Sequence, residues 1–121
     1  MADGGANGIV IETMMDLEEA RLAVKAAAAT GLPVVACMVF DTGKDRDRTM
    51  MGVTPEQAAE GLAEAGASVI GANCGTGIEA YVPVCRRLRA ATPLPVWIKA
   101  NAGLPEVIDG RTVYTQTPSG F

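Results

Sequence analysis

Ser68-Val69-Ile70-Gly71-Ala72-Asn73-Cys74-Gly75-Thr76-Gly77 runs from a short apolar segment into a glycine-rich turn. Beyond it, Ile78, Tyr81, Cys85 and Leu88 recur at helical spacing. The stretch therefore reads as strand, loop and helix, with Asn73 and Cys74 delivered to the strand end where α/β proteins place their chemistry.

The neighbouring segments repeat this unit. Gly8 to Thr13 reads as a buried strand, and Asp16 with Glu19 opens a helix whose apolar positions are Leu17, Ala20, Val24 and Ala27. Pro33 precedes an apolar run from Val34 to Phe40, suited to a parallel strand buried on both faces. Asp41 to Val53, with Asp45, Arg46, Asp47 and Arg48, reads as a long solvated loop. Thr54, Pro55 and Gln57 supply a capping box and a first-turn proline for a second helix that ends at Gly66. The third helix carries Pro83 in its early turns or kinks there, and Arg86, Arg87 and Arg89 suit the negative pole of its dipole. Pro95 to Asn101 makes a fourth strand. Ala102 to Phe121 reads as irregular, with a short extended piece at Val113 and Tyr114 and a helix start at Thr117-Pro118.

An internal repeat ties these units together. Ala2 to Ile9 aligns with Ala63 to Ile70, 61 positions on, and Ala28 to Val34 aligns with Ala90 to Val96, 62 positions on. Each match spans two strand-helix units of about 31 residues, and eight such units make the roughly 250 residues of a (β/α)₈ barrel. The expected fold is therefore α/β, half of such a barrel, with four parallel strands alternating with three helices over residues 1–121. Both ends fall inside the repeating pattern, so the expectation is a fragment.

Composition narrows the chemistry. Nearly half the chain is apolar, enough for one core, and a net charge of -4 gives no electrostatic reason to expect nucleic acid or an anionic membrane as partner. No apolar run reaches the roughly 18 residues of a membrane span. Three cysteines without Cys-x-x-Cys spacing fit a reducing compartment, and a soluble cytoplasmic protein is the default. The absence of histidine removes Ser-His and Cys-His nucleophiles and histidine metal sites from this stretch.

Parallel strands bring Glu12-Thr13, Asp41, Asn73-Cys74 and Asn101 to one face. A carboxylate, a thiol and two carboxamides there suit an amino-acid ligand and a soft metal. Two other readings stay open. Asp41, Asn73 and Asn101 would serve a pterin- or folate-binding barrel, and open edges at Gly8 to Thr13 and Pro95 to Asn101 would serve a non-catalytic half-barrel that associates with itself.

With these residues in hand, the sequence resembles the homocysteine-binding domain of the homocysteine S-methyltransferase family, of the cobalamin-dependent methionine synthase type. The matching stretches are Gly8 to Asp16, Val69 to Gly77, Leu88 to Gly103 and Leu104 to Phe121. The resemblance implies strands four to seven of a barrel that carries zinc on three cysteine thiolates. It implies that Cys74 is the first zinc ligand and that Glu12 binds the homocysteine ammonium; Asn73, at the same strand end as Cys74, is the further substrate-binding candidate. The other two ligands would be an adjacent Cys-Cys pair after the eighth strand, which this sequence does not contain. Cys37 in mid-strand and Cys85 on a helix face read as small buried hydrophobes instead. The implied reaction is methyl transfer to homocysteine to give methionine, with methylcobalamin as a candidate donor. The chain alone is expected to be inactive, because zinc takes three or four protein ligands.

Overall fold

The computed structural model describes residues 1–114 and 116–120. Its centre is a four-stranded parallel sheet in the order β1 (Ile9–Met14), β2 (Val34–Met38), β3 (Val69–Cys74) and β4 (Val96–Ala100). The helices α1 (Leu17–Ala28), α2 (Pro55–Ala65) and α3 (Ile78–Ala91) connect successive strands. This is the strand-helix alternation of part of a (β/α)₈ barrel, and β1 and β4 are the sheet edges.

Local chemistry accounts for the helix ends. Asp16 accepts the Glu19 N–H at 2.9 Å and caps α1. Thr54 and Gln57 exchange both bonds of a capping box at the start of α2, and Pro55 occupies its first turn. Gly66 closes α2 in the left-handed conformation. The repeat partner of Gly66 is Gly5, also left-handed, at the end of a short 3₁₀ turn over Ala2–Gly4. The alignment of these two segments is thus a structural repeat, not a chance match of small residues. Pro83 lies in the second turn of α3, which continues through it.

One face of the sheet packs on the helices. Ile9, Val34, Ala36, Met38, Ile70 and Ala72 join Ala20, Val24, Ala59, Leu62, Val84 and Leu88 in one core. Strand alternation puts Val10, Glu12, Val35, Cys37, Gly71, Trp97 and Lys99 on the opposite face. Gly71 is required there by a close backbone approach, since a Cβ would lie 1.9 Å from the carbonyl oxygen of Trp97.

Three expectations need correction. The Asp41–Val53 segment is tied down rather than merely solvated: Thr42 bridges Arg48, and Thr49 is buried with its hydroxyl accepting the Val53 N–H at 3.1 Å. Arg87 does not serve the pole of α3. It reaches sideways, placing Nε 2.7 Å from one Glu56 carboxylate oxygen and Nη2 2.6 Å from the other, and it also pairs with Asp47. Arg89 does serve the helix end, donating to the Thr92 carbonyl at 3.2 Å. The third correction concerns the tail, which forms an antiparallel hairpin of β5 (Pro105–Ile108) and β6 (Arg111–Tyr114). Asp109 and Gly110, both at positive φ, make its two-residue turn. Thr115 and Phe121 lie outside the described residues, so the expectation for the stretch to Phe121 is met only up to Gly120, where Pro118–Gly120 forms a 3₁₀ turn. Among the described residues, no helix is long and apolar enough to cross a membrane.

Candidate active-site rim

The strand ends of β1 and β3 are built by the same device. Thr13 (φ 66°) and Cys74 (φ 63°) both sit in the left-handed region that β-branched and other non-glycine residues rarely adopt. They are 61 positions apart, as are Glu12 and Asn73, so the repeat carries this backbone feature as well. In β1 it accompanies a bulge. Ile11 pairs with Ala36 and Met14 with Met38, so one extra residue sits in β1 between them. Ile11 and Met14 both pack against the core, and the two residues between them turn to the open face. Strain of this kind costs about 1–3 kcal/mol per residue and clusters where function over-determines the backbone.

The side chains that result are interlocked. The Asn73 carboxamide accepts the Thr13 N–H at 2.8 Å through Oδ1 and donates to Thr13 Oγ1 at 2.8 Å through Nδ2. The same Nδ2 lies 3.2 Å from Cys74 Sγ, and Thr13 Oγ1 lies 3.7 Å from that sulfur. Asn73 is buried, whereas Cys74 is partly exposed. With Oγ1 already accepting from Asn73, the Thr13 hydroxyl proton is free to point at Sγ.

Tyr81 on α3 anchors this arrangement from below. Its buried hydroxyl donates to the Asn73 carbonyl at 2.6 Å and accepts the Phe40 N–H at 3.4 Å, joining the ends of β2 and β3. Burial pushes the phenol up to about 12. Gly75 (φ 67°) makes room for that ring, since a Cβ there would stand 2.8 Å from Tyr81 Oη. Asn101 donates to the Gly75 carbonyl at 2.9 Å and holds the loop.

Glu12 is met from across the sheet. Lys99 Nζ, on the opposite edge strand, forms an ion pair with its carboxylate. The hydrogen bond to Glu12 holds the Lys99 ammonium above its usual pKa.

Glu12, Thr13, Asn73, Cys74 and Lys99 are thus brought together. Asp41 is not. It lies beyond the end of β2, and its carboxylate accepts from the neighbouring Thr42 hydroxyl at 3.0 Å. Asn101 spends its Nδ2 on the Gly75 carbonyl. Cys37 is buried on the open face, where burial foremost and Glu12 next push its thiol up to about 11. Cys85 sits on α3 beside Ile78 and Ile98. Among the described residues no three potential metal ligands assemble, so Cys74 is a single donor and falls short of the three or four that zinc takes.

An open cleft of about 660 Å³ lies among the loops that follow β2, β3 and β4, lined by Arg46, Thr76, Gly77, Gly103, Leu104 and Gln116. Sequence reasoning missed the roles of Thr13, Tyr81 and Lys99. A signal existed for Lys99, a charge inside the otherwise apolar Pro95–Ala100 run. Another existed for Thr13, which the repeat aligns with Cys74.

Comparison with known proteins gives the family. A family model described as Homocysteine S-methyltransferase matches residues 1–121. The methionine synthase of Mycobacterium tuberculosis is 32% identical over 111 residues, covering 87% of this chain and 9% of that protein. The methionine synthase of Mycobacterium leprae is 30% identical over the same length, again with 87% and 9% coverage. The betaine–homocysteine S-methyltransferase 1 of Sus scrofa is 44% identical over 66 residues, covering 54% of this chain and 22% of that protein. This chain therefore spans a small part of the length of the curated relatives it matches. On the match across all of its residues, it belongs to the homocysteine S-methyltransferase family.

Proposed function

We propose that this chain forms the homocysteine-binding part of an S-methyltransferase barrel of the methionine synthase type, which passes a methyl group to the homocysteine sulfur to give methionine. The observation that carries the reading is the interlocked rim, where a left-handed Cys74 presents its thiol beside the Asn73 amide and the Thr13 hydroxyl. The Glu12 carboxylate takes the substrate ammonium and so orients the sulfur. Asn73 belongs to the substrate site as the residue that fixes Thr13 and Cys74.

Cys74 supplies one thiolate to a zinc ion in the complete domain, and the remaining ligands come from outside the described residues. Bound zinc lowers the pKa of a coordinated thiol, so that homocysteine is held as thiolate near neutral pH. Methylcobalamin is the donor that accompanies this reading, and free thiols at all three cysteines suit a reducing, cytoplasmic setting. The test is Cys74→Ala in a protein that carries this chain within its whole barrel. Zinc content by elemental analysis and methionine formation should both fall to background, and full zinc with unimpaired turnover would overturn the assignment.

A second reading concerns assembly. Val10 and Trp97 are 49% and 42% exposed on the open face, one on each edge strand of the sheet. This favours self-association of the isolated chain. Sedimentation should show a concentration-dependent dimer, and a monomer at all concentrations would remove this reading.

A further inference from the structure

The ion pair between Glu12 and Lys99 has no evident structural purpose. It joins β1 to β4 across the open face, and its side chains are 42% and 55% exposed. Exposed pairs of this sort add little to stability. Its place is more informative than its strength. Glu12 immediately precedes Thr13, whose hydroxyl touches Cys74 Sγ, and Lys99 is the register partner of Asn73 on the adjacent strand. A carboxylate and an ammonium therefore face each other beside the interlocked thiol.

We propose that Glu12 and Lys99 together form a receptor for the zwitterionic head of a free α-amino acid, with Lys99 binding the substrate carboxylate. This rests on the reading of Glu12 as the ammonium site and extends it to the other end of the substrate. A substrate amine arriving alone at Glu12 would displace the Lys99 ammonium and leave two cations side by side. A zwitterion avoids this. It opens the pair, gives its ammonium to Glu12 and its carboxylate to Lys99, and leaves every charge neutralised. The receptor thereby selects free amino acids over thiols that carry only an amine or only an acid.

Calorimetric titration of this chain with L-homocysteine, 3-aminopropanethiol, which lacks the carboxylate, and 4-mercaptobutyrate, which lacks the ammonium, tests the proposal. Wild type should bind homocysteine at least tenfold more tightly than either analogue. Lys99→Gln should weaken homocysteine at least tenfold and tighten 3-aminopropanethiol, because Glu12 is then free of its internal partner. Lys99→Arg should restore most of the homocysteine affinity. A merely structural lysine would leave both affinities unchanged, and a lysine that only competes for Glu12 would tighten both on removal; either result overturns the proposal. If Glu12→Gln weakens homocysteine while Lys99→Gln does not, the Glu12 assignment stands and the receptor fails. No heat with homocysteine for wild type would overturn both.

Discussion

Tyr81→Phe removes a single oxygen from the buried anchor of the rim, and the structure sets the expected cost. The lost hydroxyl donates to Asn73 O at 2.6 Å and accepts from Phe40 N at 3.4 Å. The first bond is short and buried, and its loss leaves a buried carbonyl without that donor, worth about 1–3 kcal/mol. The second is near the outer limit of a hydrogen bond and adds little. Phenylalanine keeps the packing, so the total should be about 2 kcal/mol. With a urea m-value of about 2 kcal/mol/M, the unfolding midpoint should fall by about 1 M. The pH dependence offers a second readout. Burial raises the phenol from 10 to about 12, so the neutral form is favoured in the fold. Its contribution is fully present below pH 10 and is lost as pH rises through 12. The variant should lack that alkaline loss. An unchanged midpoint, or the same alkaline loss in both proteins, would refute the anchoring role.

Other perturbations probe other parts. Glu56→Gln should cost about 1 kcal/mol at pH 7, at the upper end for an exposed pair, and raised salt should shrink the difference. Arg87 holds the Glu56 carboxyl down at about 2 from its usual 4.5, so the pair's contribution is present above pH 4.5 and fades as pH falls through 2; Glu56→Gln should flatten that acid limb in urea titrations. Gly71→Ala forces a Cβ against the Trp97 carbonyl and should destabilise by about 1–3 kcal/mol or more, measured by thermal unfolding. Thiol labelling followed by peptide mass spectrometry should modify Cys74 well before Cys37, which is buried with its thiol pushed up to about 11; equal rates would contradict the assigned environments.

Much of this was legible in the sequence because it is written locally. Capping at Asp16 and Thr54, the first-turn Pro55 and the end at Gly66 are one-turn signals, and each forms the bonds its residue type predicts. The apolar run from Val34 became a strand, largely buried on both faces, that ends at Met38. The repeat yielded the parallel alternation and, through Gly5 and Gly66, a matching backbone conformation. The hairpin was missed although Asp109-Gly110 between Val107-Ile108 and Val113-Tyr114 is a strong short-range turn signal. The pattern was masked by the surrounding glycines and prolines.

What sequence reading could not reach is non-local. Glu12 and Lys99 are 87 positions apart and meet only once β1 and β4 have become the two edges of one sheet. The left-handed turns at Thr13 and Cys74 run against residue preference, since threonine and cysteine are poor candidates for positive φ. Neither turn could be read from propensity; the two bonds that tie Thr13 to Asn73, 60 positions away, form only once β1 and β3 lie in one sheet.

Whether the rim around Cys74 receives homocysteine is read by titrating L-homocysteine into the ¹⁵N-labelled chain and following its amide spectrum. Saturable shifts centred on Glu12, Thr13, Asn73, Cys74, Gly75 and Lys99 are expected. A spectrum that stays unchanged, or shifts confined to the cleft between Arg46, Gly77 and Gln116, would contradict binding at the rim.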